Sequence, residues 1–257
     1  TFIPFSGGPP DKETNPCLSR TKHGFFGLDR DMVATVTNWM AGKPPASPDR
    51  GNEPLFLNER IVWVPMAVMG GEVRLQTTVY KPDGPGPFPL VIISHGVPFE
   101  KSLEAEIRFR SRFCLQSEEF VKRGFAVAVP MRRGYGKSDG GKNLPTTNIA
   151  AFGIEDARDI QATIDFLRKE PFIDATRIVL VGQSGGGLAS LAAGSLGNPN
   201  VKGIINFAGG LKRTSVATWE QEMAQAFGIY AKTTKAPSLW LYTANDSFFS
   251  PSAAREA

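Results

Sequence analysis

One short stretch near the middle of the chain decides its fold: Ile178-Val179-Leu180-Val181-Gly182-Gln183-Ser184-Gly185-Gly186. The four apolar residues at its start predict a strand that is buried on both faces. The next five match the pattern Gly-x-Ser-x-Gly and open a predicted helix of small residues over Gly185–Leu196. A serine at such a turn is held in strained backbone geometry with its hydroxyl above the sheet. We therefore predict that Ser184 is a nucleophile; the alternative is a tight turn whose serine only caps the helix.

Strands and helices alternate around this stretch. Apolar runs predict further buried strands over Leu90–Ile93 and Phe125–Val129, and two more strands are predicted over Val201–Phe207 and Ser238–Tyr242. Helices are predicted over Ser117–Arg123 and Ile154–Lys169, and a hairpin around Gly70-Gly71 precedes the first of these strands. This order is typical of an α/β fold with a mostly parallel sheet and helices on both faces. Functional residues of such folds lie at the carboxyl ends of the strands.

Composition narrows the class of protein. The chain has 257 residues, of which 41% are hydrophobic and 21% charged, and this excludes intrinsic disorder. The net charge of +4 comes from basic residues interleaved with acidic ones, so we expect no nucleic-acid partner. No apolar run reaches the roughly 20 residues of a membrane span. We expect one domain over 56–257, preceded by a largely irregular extension over 1–55 with one helix at Asp29–Met40.

The two cysteines and the first residue provide information on the cellular compartment of the protein. Cys17 and Cys114 are too few for a disulfide framework or a metal site; they either form one bridge or stay as two thiols. The chain starts at Thr1 without a Met, which suits a cleaved signal peptide or a trimmed sequence. We expect an exported protein.

A second motif follows the strand Leu90–Ile93 and reads Ser94-His95-Gly96-Val97-Pro98. A backbone amide in this loop, together with the amide of Gly185, can bind a developing oxyanion. Here the chain resembles the α/β-hydrolase superfamily, in which a His-Gly pair ends the third strand and the next residue supplies that amide. The resemblance implies this role for Val97 and a loop-shaping role, rather than that of catalytic base, for His95.

A third motif, Met131-Arg132-Arg133-Gly134-Tyr135-Gly136-Lys137-Ser138-Asp139-Gly140, is similar to the superfamily's loop after the fourth strand. We expect its Arg and Asp side chains to hold the loop together. The alternative is a basic rim that favours anionic substrates.

The resemblance also implies an acid for the catalytic triad. Asp246 follows the predicted strand Ser238–Tyr242 and precedes Ser250-Pro251, where the superfamily places the carboxylate that orients the histidine. An ordinary Asn-Asp turn is the alternative. Between the last two strands, Trp219, Met223, Phe227 and Tyr230 share one helical face, which predicts packing onto the sheet or an apolar pocket wall. Candidate pocket residues are Tyr135, Trp219 and Phe248.

The histidine is where the chain departs from the superfamily pattern. The superfamily's catalytic His lies beyond one more helix and strand after the acid, whereas the chain's two histidines are His23 and His95. We expect the C-terminal helix, strand and His loop to be missing, so that residues 1–257 alone are nearly inactive. The alternative is a non-catalytic pseudo-hydrolase that binds ligands in the same cleft.

These motifs together predict a hydrolase. The chain resembles dienelactone-hydrolase-like and prolyl-oligopeptidase-type catalytic domains most, and Ser184 stands where dienelactone hydrolases have Cys. We expect a serine esterase that cleaves small-molecule carboxylic esters through an acyl-enzyme, with no metal and no cofactor. A serine peptidase of the prolyl-oligopeptidase type is the alternative, because ester and peptide cleavage share this machinery.

Overall fold

The computed structural model describes residues 2–5, 29–43, 59–97, 110–141, 148–212, 217–246, 248–249 and 254–255. The strands are β1 (Phe2–Phe5), β2 (Arg60–Val68), β3 (Gly71–Tyr80), β4 (Phe88–Ser94), β5 (Ala126–Pro130), β6 (Ile173–Gln183), β7 (Val201–Phe207) and β8 (Ser238–Thr243). The helices are α1 (Asp29–Met40), α2 (Cys114–Lys122), α3 (Ile149–Leu167), α4 (Gly185–Ser195) and α5 (Trp219–Ala231).

All eight strands belong to one sheet in the order β1-β8-β7-β6-β4-β5-β3-β2. The first six in this order run parallel. Strand β3 is antiparallel to its neighbour β5, and β2 is antiparallel to β3. Residues 178–181 at the centre of β6 are all buried, as expected for a strand covered on both faces. The predicted α/β fold with a mostly parallel sheet is confirmed.

Two groups of helices pack on this sheet. Helix α1 packs against α2, whereas α3, α4 and α5 contact one another. Val33 and Val36 of α1 belong to the main hydrophobic core. A smaller cluster of Val64, Met66 and Leu75 fills the space between the hairpin and α3. In the described ranges, no helix combines the length and the apolar character that a membrane crossing requires.

Helix α3 begins earlier than its apolar periodicity predicts. It starts at Ile149 instead of Ile154, because the Asn148 side chain accepts a hydrogen bond from the Ala151 amide at 3.0 Å. An asparagine side chain that caps the first turn satisfies an amide that has no partner within the helix.

Strand β1 differs from the expected irregular extension. It pairs in parallel with β8, so that Phe2 lies opposite Trp240 and Phe5 opposite Thr243. The proline at position 4 made a strand difficult to predict from the sequence. A proline is tolerated in an edge strand, because its missing N–H can face away from the neighbouring strand and remove no backbone hydrogen bond. Because β1 and β8 are parallel, the carboxyl ends of both strands lie at the same end of the sheet. The boundary at residue 55 stays a prediction.

Candidate active site

The turn between β6 and α4 holds Ser184 in an unusual backbone conformation, with φ 56° and ψ −127°. Backbone hydrogen bonds to β7, to the loop after it and to the first turn of α4 fix this conformation. The Ser184 amide donates to the Phe207 carbonyl at 3.0 Å, and the Ser184 carbonyl accepts from the amides of Gly187 and Gly210 at 2.9 and 3.0 Å. Strained conformations of this kind persist only where neighbouring structure enforces them, and they concentrate at functional sites.

Close backbone contacts explain the two glycines of the Gly-x-Ser-x-Gly motif. A Cβ on Gly182 would lie 2.0 Å from the Gly186 carbonyl oxygen, and a Cβ on Gly186 would lie 2.0 Å from the Ser94 carbonyl oxygen. Neither position accepts a side chain without moving the backbone. The turn therefore brings α4 into direct contact with the end of β4.

The loop after β4 lies next to Ser184. A Cβ on Gly96 would be 3.3 Å from the Ser184 Cβ and 3.7 Å from its Oγ, and a Cβ on Gly185 would be 3.3 Å from the Val97 amide nitrogen. Gly185 is the first residue of α4, so its amide has no partner within the helix. The structure thus brings Val97 and Gly185, the two predicted oxyanion donors, to the side of the candidate nucleophile.

Asp246 follows β8 and is 8% exposed. Its Oδ1 accepts hydrogen bonds from the amides of Phe248 and Phe249 at 2.8 and 2.9 Å, so the carboxylate organises the turn that it occupies. Only β7 separates β8 from β6, and parallel strands end at the same edge of a sheet. Asp246 and Ser184 therefore share one edge.

His95 is buried and has both ring nitrogens engaged by the backbone. The Arg132 amide donates to Nε2 at 3.2 Å, which makes Nε2 the unprotonated nitrogen, and Nδ1–H donates to the Gly96 carbonyl at 2.7 Å. Burial, and after it the charge of Arg132, lowers the pKa of His95 well below its usual range. This neutral histidine shapes the loop and offers no nitrogen to the Ser184 hydroxyl.

Acidification should destabilise the wild-type protein relative to a His95→Gln variant. Below its ordinary pKa of about 6.5, His95 binds a proton in the unfolded chain but not in the folded one. Its contribution to stability is therefore present above that pH and is lost as the pH falls. For a folded pKa far below this range, the loss at pH 5.5 is about 1.4 kcal/mol.

Urea unfolding of both proteins at pH 7.5 and pH 5.5 measures this loss. Subtracting the variant's free energy of unfolding from that of the wild type removes the contributions of other titrating groups. One such group is Asp159, whose pKa is raised to about 6 by burial. A stability difference that is the same at both pH values would show that His95 is not buried in its neutral form.

The two arginines of the loop after β5 pair with carboxylates of α3. Arg132 is completely buried and lies 3.0 Å from Asp156, while Arg133 donates to Asp159 at 2.7 Å. These pairs fit the interpretation that the loop's charged residues hold it together. They leave Arg132 no surface with which to form a basic rim.

The three candidate pocket residues have different neighbours. Tyr135 is 3% exposed and its ring centroid lies 4.8 Å from that of His95, so it packs inside the loop. Trp219 and Phe248 lie near Asp246, where the Lys212 ammonium is 5.4 Å from the Trp219 ring and 4.9 Å from the Phe248 ring. The pocket role of all three residues stays a prediction.

Helix α5 uses its apolar face mainly for packing. Met223, Phe227 and Tyr230 are at most 2% exposed, and the Tyr230 hydroxyl donates to the Ala150 carbonyl at 2.8 Å. This agrees with the packing interpretation for these three residues. Trp219, at the start of the helix, is half-buried and contacts Phe249 with ring centroids 6.1 Å apart.

Some predictions lie outside the described residues. His23 and Cys17 are among them, so the pairing of Cys17 with the exposed Cys114 stays a prediction. Within the described ranges, no group of three or more His, Cys, Asp or Glu side chains is placed to hold a metal ion.

Sequence reasoning missed the detailed partners of the loop after β4. Arg132 and Asp156 were visible only as charged residues, because the contact between them joins a loop to a helix face. The one available signal was an arginine directly after a buried strand, which places a charge at the carboxyl edge of the sheet.

Comparisons with known proteins place this arrangement in a family. A model of the X-Pro dipeptidyl-peptidase (S15) family matches residues 70–248. The acylamino-acid-releasing enzyme of Sus scrofa is 28% identical over 141 residues, which are 51% of this chain and 18% of that protein. The chain thus spans less than a fifth of the length of this curated relative.

Solved structures share the fold. A puromycin-hydrolyzing peptidase of Mycobacterium tuberculosis superposes with a TM-score of 0.58 at 20% identity, over 80% of this chain and 34% of that one. A dienelactone hydrolase-like promiscuous phosphotriesterase from metagenomic libraries gives a TM-score of 0.51 at 17% identity, over 77% and 74% of the two chains.

The range matched by the family model covers well over half of the chain. It contains the loop after β4, the turn at Ser184 and Asp246. The chain therefore belongs to the X-Pro dipeptidyl-peptidase (S15) family, whose members are serine hydrolases of the α/β-hydrolase fold.

Proposed function

We propose that this chain carries the acyl-transfer chemistry of a serine peptidase of the prolyl-oligopeptidase type. The observation that carries the proposal is the turn at Ser184, where a serine with a positive φ stands beside Val97 and Gly185 at the carboxyl edge of the sheet. A partly exposed serine next to two backbone amides is the arrangement that acyl transfer requires.

In the proposed reaction, the Ser184 hydroxyl oxygen attacks the substrate carbonyl carbon. The amides of Val97 and Gly185 donate hydrogen bonds to the oxyanion that forms. A base takes the hydroxyl proton and passes it to the departing amine, which leaves an acyl-enzyme on Ser184. Water then attacks the acyl carbon with the help of the same base, and free serine returns. Asp246 orients the base and stabilises its protonated form.

The base in this scheme is a histidine outside the described residues. His95, the histidine within them, has both nitrogens engaged. His23 belongs to the connection between β1 and α1, and β1 ends opposite Thr243, at the edge that also bears Asp246. We therefore take His23 as the first candidate, beside the histidine beyond residue 257 that the superfamily resemblance implies.

A peptide bond is the better-supported target. The matching family is named for X-Pro dipeptides, and the curated relative is named for the release of acylamino acids. An ester is the second candidate, because acyl transfer from an ester uses the same nucleophile and the same oxyanion donors. A binding module without catalysis is the third possibility to be tested.

Turnover of three chromogenic substrates by the natural protein, as its source organism produces it, separates these functions. The substrates are an X-Pro p-nitroanilide, an N-acylaminoacyl p-nitroanilide and a short-chain p-nitrophenyl ester. A peptidase hydrolyses at least one anilide with a burst of p-nitroaniline when deacylation is slow. Hydrolysis of the ester alone would favour the esterase, and hydrolysis of none would contradict both enzymes.

A further inference from the structure

One buried arginine holds the loop that leads to Val97. Arg132 Nη1 donates to the Ser94 hydroxyl at 2.8 Å and to the His95 carbonyl at 2.6 Å, and Nη2 donates to the Gly96 carbonyl at 3.3 Å. A single planar guanidinium thus binds three consecutive residues of this loop. A guanidinium presents its donors in a fixed fork, so it fixes the relative orientation of the groups that it binds.

The arginine is itself held from the other side. Its Nε lies 3.0 Å from the Asp156 carboxylate on α3, and its backbone amide donates to His95 Nε2. Arg132 and Asp156 are 0% and 2% exposed. A buried ion pair loses so much hydration that apolar residues of the same size are often equally stabilising. Stability alone therefore does not account for a charge pair at this place.

The geometry of one peptide unit connects this pair to the candidate oxyanion site. The Gly96 carbonyl and the Val97 amide belong to the same peptide group, which is planar, with C=O and N–H on opposite sides when trans. Two donors, His95 Nδ1–H at 2.7 Å and Arg132 Nη2 at 3.3 Å, bind the Gly96 oxygen. They fix the direction of the Val97 N–H, and they polarise it through the shared peptide group.

We propose that Arg132 is a positioning residue that aims the Val97 amide at the oxyanion formed on Ser184, with Asp156 holding the arginine in place. This inference rests on the proposed acyl-transfer function. Since an oxyanion exists only in the tetrahedral transition state and intermediate, a misdirected Val97 amide lowers kcat and leaves substrate binding nearly intact.

Three variants test the proposal in the natural protein. Arg132→Lys keeps a positive charge but cannot bind Ser94, His95 and Gly96 at once, and we expect kcat to fall about 10²-fold with KM within about threefold. Ser94→Ala removes one acceptor at little cost in volume, and we expect a fall of about fivefold. It carries the test should Arg132→Lys fail to fold.

Arg133→Lys is the matched control. Arg133 lies next to Arg132 and also binds α3, through Asp159 and the Glu155 carbonyl, but it makes no hydrogen bond to the loop after β4 among the described residues. We expect a lower Tm with kcat within about twofold of wild type. A loss of kcat in Arg133→Lys equal to that in Arg132→Lys would overturn the proposal, because general loosening of the loop would then explain both.

A transition-state analogue gives the second readout. A peptidyl trifluoromethyl ketone adds to the serine and places an oxyanion between the two amides. Its inhibition constant should rise in Arg132→Lys and Ser94→Ala by the same factor by which kcat/KM falls. Unchanged kcat and inhibition in both variants of an active wild type would overturn the proposal. Absence of activity and of serine labelling in the wild type would instead contradict the proposed function.

Discussion

Replacing Ser184 by alanine should abolish turnover in the natural protein, with a fall in kcat on the order of 10⁴-fold or more. The remaining rate would come from substrate binding and the oxyanion amides alone. Stability should hardly change, because the Ser184 side chain makes no capping hydrogen bond to α4 and its φ of 56° is equally unfavourable for alanine. We expect a Tm within about 4 °C of wild type.

Ser190→Ala is the matched control for this experiment. Ser190 lies on α4, the helix that directly follows Ser184. It is fully buried, and its hydroxyl has no hydrogen-bond partner among the described residues. The same chemical change at this position should leave kcat within about twofold of wild type. Initial rates on the best of the three chromogenic substrates measure both variants. Activity of Ser184→Ala within tenfold of wild type would remove Ser184 from the mechanism.

Replacing Asp246 by asparagine should lower turnover by a factor of about 10³ to 10⁴ while the fold is kept. The Asn side chain retains the oxygen that accepts from the amides of Phe248 and Phe249, so the turn after β8 should keep its conformation. What is lost is the negative charge that orients and stabilises a protonated histidine. Measuring turnover and Tm together separates the loss of the charge, which lowers turnover, from a disruption of the turn, which would lower Tm.

A double-mutant cycle identifies the histidine that Asp246 serves. If His23 is the base, His23→Gln should be as inactive as Ser184→Ala, and adding Asp246→Asn should cost almost nothing more, because residues that act as one unit are strongly non-additive. Full activity of His23→Gln would place the base elsewhere.

Full activity of Asp246→Asn, with another carboxylate variant inactive, would show that Asp246 is the wrong acid. Asp139→Asn, which neutralises a surface carboxylate paired with Arg74, is the control.

The centre of the fold could be predicted because its signals are local. The runs Leu90–Ile93 and Ile178–Val181 are continuous apolar stretches, and burial on both faces produces this pattern directly. The turn at Ser184 was equally readable, since close backbone contacts impose glycine at positions 182 and 186. Constraints of this kind restrict the type of amino acid at each position, so they can be recognised in the sequence.

The edges of the fold and the contacts of the site were harder to predict. Strand β1 has four residues with a proline among them, and it exists through its pairing with β8, more than 230 positions later in the chain. The Arg132–Asp156 pair depends in the same way on the packing of a loop against α3. In both cases the contact forms between segments that are distant in the sequence, so the local sequence of either segment does not indicate its partner.

The placement of Tyr135 shows the same limit within one motif. Its loop resembles a superfamily motif, and Tyr135 is one of the three candidate pocket residues predicted from the sequence. In the structure its ring contacts His95 and lies 5.6 Å from the Arg132 guanidinium, which the motif did not indicate. A motif predicts where a loop lies, but the direction of each side chain follows from neighbours that the motif does not contain.

Covalent labelling tests the central claim, that Ser184 is an activated nucleophile, most directly. The natural protein is treated with a fluorophosphonate probe, digested, and the modified peptide is sequenced by mass spectrometry. We expect a single adduct on Ser184, formed in wild type and in Ser190→Ala, and absent from Ser184→Ala and after prior denaturation. A folded wild-type protein that takes up no probe, or takes it up on a different residue, would contradict the account.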